Sequence, residues 1–125
     1  MISDEQLRKK ERLLKSKDFR LVYKKGRAFY GPDGKKARFA LCSAPNGLGN
    51  SRIGFSISAK NIKLATRRNR IRRLFREVFR RNKKGLRAGF DIVIIVKKAP
   101  ERAQVSYKEI EGIFLKLIKE AGILA

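Results

Sequence analysis

Arg52-Ile53-Gly54-Phe55-Ser56-Ile57-Ser58, followed after a six-residue connection by the segment from Ala65 to Asn82, decides how this chain folds. Ile53, Phe55 and Ile57 alternate with Arg52, Gly54, Ser56 and Ser58, the two-residue period of a strand with one buried face. Downstream, Ile71, Leu74, Phe75, Val78 and Phe79 repeat at i, i+3, i+4, i+7 and i+8, the apolar stripe of a helix. The spacing predicts that helix from Leu64 or Thr66 to Asn82. A strand feeding directly into a long amphipathic helix is the start of an α/β arrangement.

The flanks extend the pattern in both directions. After Gly85 and Gly89, Phe90 to Val96 reads as a strand, and its unbroken run Ile92-Val93-Ile94-Ile95-Val96 predicts burial on both faces. Ser106 and Glu109 have capping-box spacing for a last helix whose stripe is Tyr107, Ile110, Phe114, Leu117 and Ile118. Upstream, Ala37 to Ser43 reads as a strand, with Phe39 and Leu41 on one face. Pro45-Asn46-Gly47 and Gly49-Asn50 form a loop, predicting that the strands at 37–43 and 52–58 pair as an antiparallel hairpin. Gly31-Pro32-Asp33-Gly34 is a turn. A first helix is predicted with Ser16 as its N-cap, Phe19, Val22 and Tyr23 on one face and Gly26 as its stop. The predicted order is α-β-β-α-β-α: an α/β chain, a small single-domain sandwich over residues 1–125, with helices on a short sheet. Residues 1–7 are expected to be unordered in isolation.

The chain has 125 residues, 33 of them Lys or Arg and 11 Asp or Glu, for a net charge of +22. Apolar residues make up 42% of the sequence, enough for a core and too many for a disordered basic tail. There is no histidine, which removes the commonest general base and zinc ligand, and a single cysteine, Cys42, so no intrachain disulfide. No apolar run approaches the ~20 residues of a membrane span, and the polar start of the chain is unlike a signal peptide. A cytoplasmic setting is expected. Charge of this density opposes folding unless a polyanion relieves it.

That charge is concentrated. Gly34 to Phe90 carries 17 basic residues and one acid, Glu77, whereas Ala99 to Ala125 carries four of each sign. On a helical wheel, Arg72, Arg76, Asn69, Arg80 and Arg73 fall together beside the apolar stripe, and Arg70, Arg81 and Arg67 on the other flank. From Arg67 to Arg80 there are seven Arg and no Lys. The planar guanidinium pairs with phosphate through two donors and stacks on bases, which ammonium does not. Solvated helix faces mix signs at i, i+4; this one does not. Glu77 is expected to pair locally with Arg73 and Arg81.

The strand at 52–58 together with Arg68-Asn69-Arg70-Ile71-Arg72-Arg73-Leu74-Phe75-Arg76-Glu77-Val78-Phe79-Arg80 resembles the protein subunit of bacterial ribonuclease P. Arg12-Leu13, Asp18-Phe19, Val22, Gly26 and Phe90-Asp91-Ile92-Val93-Ile94 extend the resemblance to about residues 12–120. It implies a fold shared with a ribosomal-protein domain, with a left-handed βαβ crossover through the arginine helix, where pattern alone favours the right-handed one. It also implies a division of labour. A large RNA holds catalytic Mg2+ and cuts precursor tRNA at the 5′ end of the mature sequence, while the protein binds that RNA and the 5′ leader, has no catalytic residue and holds no metal or cofactor itself. By position, Arg68, Asn69, Arg70, Arg72, Arg73 and Arg76 are implied as RNA contacts. Phe19 and Tyr23, with Lys60 at the edge, are implied as leader contacts; plain core packing is the alternative for both aromatics. Partners are then ribonuclease P RNA and precursor tRNA, with neither DNA nor membrane.

Two departures from the family pattern stand out. Cys42 occupies a first-strand position where the family often has an aromatic. The turn Lys60-Asn61-Ile62-Lys63-Leu64-Ala65-Thr66-Arg67 is one residue longer than usual and lacks its Gly, so the backbone entering the helix must differ. Rival readings remain at this point. A structural ribosomal protein accounts for the charge and the fold equally well. A DNA-binding domain needs a helix free for the major groove. A self-sufficient nuclease needs an acid–base or metal-ligand set that is not visible, and a membrane-surface helix needs the apolar stripe that the sheet requires.

Overall fold

A computed structural model describes residues 11–31, 34, 37–97 and 106–124. Its elements are α1 (Ser16–Lys25), β1 (Arg27–Phe29), β2 (Phe39–Pro45), β3 (Arg52–Ile57), α2 (Ala65–Asn82), a 3-10 turn at Lys83–Gly85, β4 (Phe90–Val96) and α3 (Tyr107–Glu120). The expectations for residues 1–7 and for Pro32-Asp33 lie outside the described residues. Gly34 N–H does donate to Gly31 O at 3.2 Å, closing that turn.

The four strands form one sheet in the order β1-β2-β4-β3. β4 runs antiparallel to β2 and parallel to β3. The apolar run that predicted burial on both faces is therefore an inner strand: Ile92, Ile94 and Val96 point to one side and Val93 and Ile95 to the other. The predicted hairpin is overturned, because β4 lies between β2 and β3. The connection at 46–51 has to cross two strand spacings, ~10 Å, which six residues span easily. It is tied to the start of β4, since Asn46 N–H donates to Gly89 O at 2.8 Å and Asn46 Nδ2 to Asp91 Oδ1 at 2.9 Å. The doubly apolar strand gains more from the centre than a hairpin gains from a short loop. β1, only three residues long, pairs with β2 at the other edge and carries no alternation to detect.

Helices cover the two faces unequally. α2 and α3 pack on one face over Phe39, Leu41, Ile53, Ile92, Ile94 and Val96. Phe75 of α2 sits at the centre, its ring 5.3 Å from Phe39, 6.2 Å from Phe55 and 6.4 Å from Phe114. A fully buried Phe at such a junction is worth about 3–5 kcal/mol against Ala. α1 alone packs on the other face, over a smaller cluster of Leu13, Val22, Cys42 and Val93. Capping follows the sequence at α3, where Ser106 Oγ accepts from Glu109 N–H at 3.2 Å. At α1 it does not: Lys15 is the N-cap and Ser16 is already helical. Gly26 does end α1, and a Cβ there would overlap the carbonyls of Val22 and Ser43, so the turn into β1 requires glycine.

Candidate nucleic-acid interface

α2 buries Ile71, Phe75, Val78 and Phe79 and turns its arginines outward. Along the first three turns Arg67, Asn69, Arg70 and Arg73 are exposed, while Arg68, Arg72 and Arg76 are half-buried. The predicted ridge exists, but its members are not equivalent. Arg68 donates through Nη1 to Ile62 O at 2.7 Å and Lys63 O at 3.1 Å, fastening the turn before α2 to the helix. Arg72 Nη1 donates to Asn69 Oδ1 at 2.9 Å, so this Asn orients an arginine in addition to facing solvent. Arg76 lies over the Phe55 ring, 5.4 Å from its centroid. Its Nε is buried and has no partner among the described residues. Burial, together with the charges of Arg12 and Arg72, lowers its pKa from the ordinary arginine value.

The last turn of α2 is internally neutralised. Glu77 pairs with Arg80 and, at 3.0 Å, with Arg81. The expected Arg81 partner is present. Arg73, expected as the other, does not pair with Glu77 among the described residues and stays exposed, leaving Arg80 in its place. A carboxylate prefers cations C-terminal to it on a helix, in line with the macrodipole, and Arg73 is N-terminal. Arg80 and Arg81 hold the Glu77 carboxyl below its ordinary pKa. Arg81 also covers the Tyr107 ring of α3 at 5.2 Å. The cationic surface is thus polarised toward the N-terminal half of α2.

On the opposite sheet face, α1 leaves a trough beside it. Strand register places Ala40, Ile95 and Ser56 in one row across the sheet and Cys42, Val93 and Gly54 in the next. Phe19 and Tyr23 stand together on α1, ring centroids 6.5 Å apart. Phe19 is half-buried against Leu13, Cys42 and Val93, and it meets Gly54 so closely that a Cβ there would lie 2.7 Å from Phe19 Cζ. Tyr23 is 45% exposed. Core packing thus describes much of Phe19 but little of Tyr23. Lys60 is exposed in the turn beyond the end of β3, where Asn61 N–H and Ile62 N–H both donate to Ser58 O. The trough therefore has an aromatic end at Phe19 and Tyr23, with Lys60 beyond its other end. Its floor is the Ala40-Ile95-Ser56 row, in which Ile95 and Ser56 are half-buried, while the Cys42-Val93-Gly54 row lies beneath α1. Cys42 is 4% exposed, donates its thiol to Val22 O at 3.6 Å and has its pKa raised by burial, so it is a buried residue beneath α1 and not a nucleophile.

Reasoning from sequence missed two members of this surface. Phe55 reads as a core position, yet it is half-buried and supports Arg76. Arg12 reads as part of an N-terminal pattern, yet its backbone bridges to Ile53 at the β3 edge. No local signal marks either. Among the described residues no three of Cys, Asp and Glu group as metal ligands, and no helix is long and apolar enough to cross a membrane.

The sequence model of the Ribonuclease P family matches residues 7–122. The chain is 37% identical over 117 residues to the ribonuclease P protein component of Thermotoga maritima, covering 92% of this chain and 95% of that one. It is 34% identical over 116 residues to that of Clostridium botulinum, covering 92% and 97%. The fold superposes on the solved RNase P protein of Thermotoga maritima with a TM-score of 0.74 at 36% identity, covering 88% of this chain and 96% of that one. For the Staphylococcus aureus RNase P protein the TM-score is 0.76 at 26% identity, covering 92% and 98%. With a family match over nearly its whole length and the same fold beneath it, this chain belongs to the ribonuclease P protein family.

Proposed function

We propose that this chain acts in ribonuclease P as its RNA-binding protein subunit, gripping the catalytic RNA with α2 and the 5′ leader of precursor tRNA in the trough beside α1. The observation that carries this reading is the polarity of α2. Its apolar stripe is consumed by the sheet, and its N-terminal half presents arginines with no acid among residues 65–76. Such a face lowers phosphate–phosphate repulsion where two RNAs meet, so the complex needs less Mg2+. The trough suits single-stranded RNA: aromatic rings at one end stack on bases, a lysine beyond the other meets phosphate, and the half-buried Ile95 and Ser56 give a chain a surface to lie on between them. In this reading Mg2+ bound by the RNA subunit carries the phosphodiester hydrolysis, and the protein supplies no reacting group. A cytoplasmic site of action, where precursor tRNA is made, goes with it.

The test compares binding of precursor tRNA and of the same tRNA without a leader to the RNA subunit, with and without this protein. The protein is expected to tighten precursor binding by about tenfold or more and to leave leaderless tRNA within about twofold. Equal gains for both substrates would remove the leader from the account.

A further inference from the structure

We propose that Arg12, Arg72 and Arg76 frame a binding subsite for one backbone phosphate of the catalytic RNA, at the β3 edge and with Phe55 as its floor. The proposal rests on the RNA-binding reading above and adds to it a residue outside α2.

The site is assembled from three segments. Leu13 N–H donates to Ile53 O at 2.9 Å and Arg12 bridges Ile53 in parallel register, so residues 12–13 extend the sheet beyond β3. Leu13 is buried under α1 on one face. Alternation along an extended chain sends Arg12 to the other face, where α2 and Phe55 lie. Arg76 reaches that edge from α2 and is held by stacking on Phe55. Its buried Nε has no partner among the described residues. The two charges that act on it are both arginines, Arg12 and Arg72. The neighbouring carboxylate, Glu11, is instead engaged by Lys83 at 3.2 Å.

Arg12, Arg72 and Arg76 lie on the α2 side of the sheet, no carboxylate is among the charges acting on Arg76 within the described residues, and like charges raise one another's cost of remaining charged. Among the described residues Arg76 spends no donor on a protein acceptor, and with its Nε buried it is the two Nη groups that form the fork available for an anion. A phosphate diester supplies the missing negative charge and two acceptor oxygens, which match the fork. The catalytic RNA is the source of that phosphate because the site faces the α2 side of the sheet, away from the trough assigned to the leader.

The test is Arg12→Gln in the full chain. Three quantities are measured: affinity for the isolated catalytic RNA across a salt series, affinity for precursor tRNA in the holoenzyme, and the Tm of the free protein. Affinity for the catalytic RNA is expected to fall about tenfold at low salt, with the log–log salt slope shallower by about one. The Tm of the free protein is expected to stay or rise, because a like-charge neighbour has been removed. Arg12→Lys is expected to keep the slope. Wild-type affinity and slope in Arg12→Gln, with a loss in Arg73→Gln on the exposed ridge, would overturn the subsite and leave the RNA-binding reading standing. No loss in either variant would overturn both. Loss of affinity with an equal loss in Arg12→Lys and a lowered Tm would make Arg12 structural and overturn the subsite. A loss seen only with precursor tRNA would overturn its assignment to the catalytic RNA.

Discussion

Arg52 and Asp91, register partners on adjacent parallel strands, meet on the α1 face of the sheet through two hydrogen bonds. Arg52 Nε donates to Asp91 Oδ1 at 2.7 Å and Nη2 to Oδ2 at 2.6 Å. Asp91 is only 6% exposed, and Asn46 Nδ2 donates to it as well. Arg52 Nη1 also reaches Asp18 of α1 at 3.5 Å. One guanidinium therefore joins β3, β4 and α1, and it sets where α1 stands over the trough.

Removing it strands a buried carboxylate. Arg52→Met is expected to cost about 3 kcal/mol, as breaking a buried pair by one partner generally does. Urea unfolding of the free protein measures this directly. A change under about 0.5 kcal/mol would mean that the pair does not hold the elements together.

At Gly54, Phe19 of α1 and the Leu13 segment press directly on the sheet. A Cβ at this position would lie 2.7 Å from Phe19 Cζ and 2.9 Å from both Leu13 Cβ and Leu13 O. Gly54→Ala is expected to destabilise by about 1–3 kcal/mol through overpacking. It should also push Phe19 outward and erode the preference for precursor over mature tRNA, while affinity for the RNA subunit holds. Crystallographic or NMR comparison of the Phe19 ring position, alongside those affinities, checks the cause.

Much of this architecture is legible in the sequence because it is local. The α2 stripe, the doubly buried β4 and the Ser106–Glu109 cap are each set by residues within a turn or two. The choice of strand neighbour is not local, which is why Phe39–Pro45 and Arg52–Ile57 look like a hairpin and are in fact separated by β4. The site divides in the same way. That α2 is an arginine ridge follows from spacing alone. That Arg68 is committed to the carbonyls of Ile62 and Lys63 depends on the path of a turn. The stacking of Arg76 on Phe55 depends on tertiary placement.

Tyr23 and Phe19 should separate cleanly. Tyr23 is exposed and Phe19 is half-buried in the α1 cluster. Tyr23→Ala is expected to weaken precursor binding by about tenfold, equal to one lost base stack, with Tm unchanged. Phe19→Ala is expected to lose both affinity and stability. If Tyr23→Ala binds precursor as tightly as wild type, stacking at this end of the trough is not part of leader recognition.

The Glu77 cluster gives a pH signature. Hydrogen bonding to Arg80, then Arg81, lowers the Glu77 pKa in the folded state. A carboxyl whose folded pKa is depressed contributes stability above its unfolded value and loses it as pH falls through the folded one. Glu77→Gln is therefore expected to be less stable than wild type at pH 7, by no more than about 1 kcal/mol for so exposed a pair. The gap should close in acid, below the ordinary carboxyl value of 4.5. A gap that persists at pH 2 would assign the effect to helix packing and not to charge.

The central claim is that this protein assists an RNA catalyst and does not cut RNA itself. The most direct measurement is 5′ processing of a precursor tRNA at low Mg2+, in three reactions: the protein alone, a bacterial ribonuclease P RNA alone, and the two together. The account predicts cleavage only in the mixture, at the 5′ end of the mature tRNA. Cleavage by the protein alone, or a mixture no more active than the RNA alone, would contradict it.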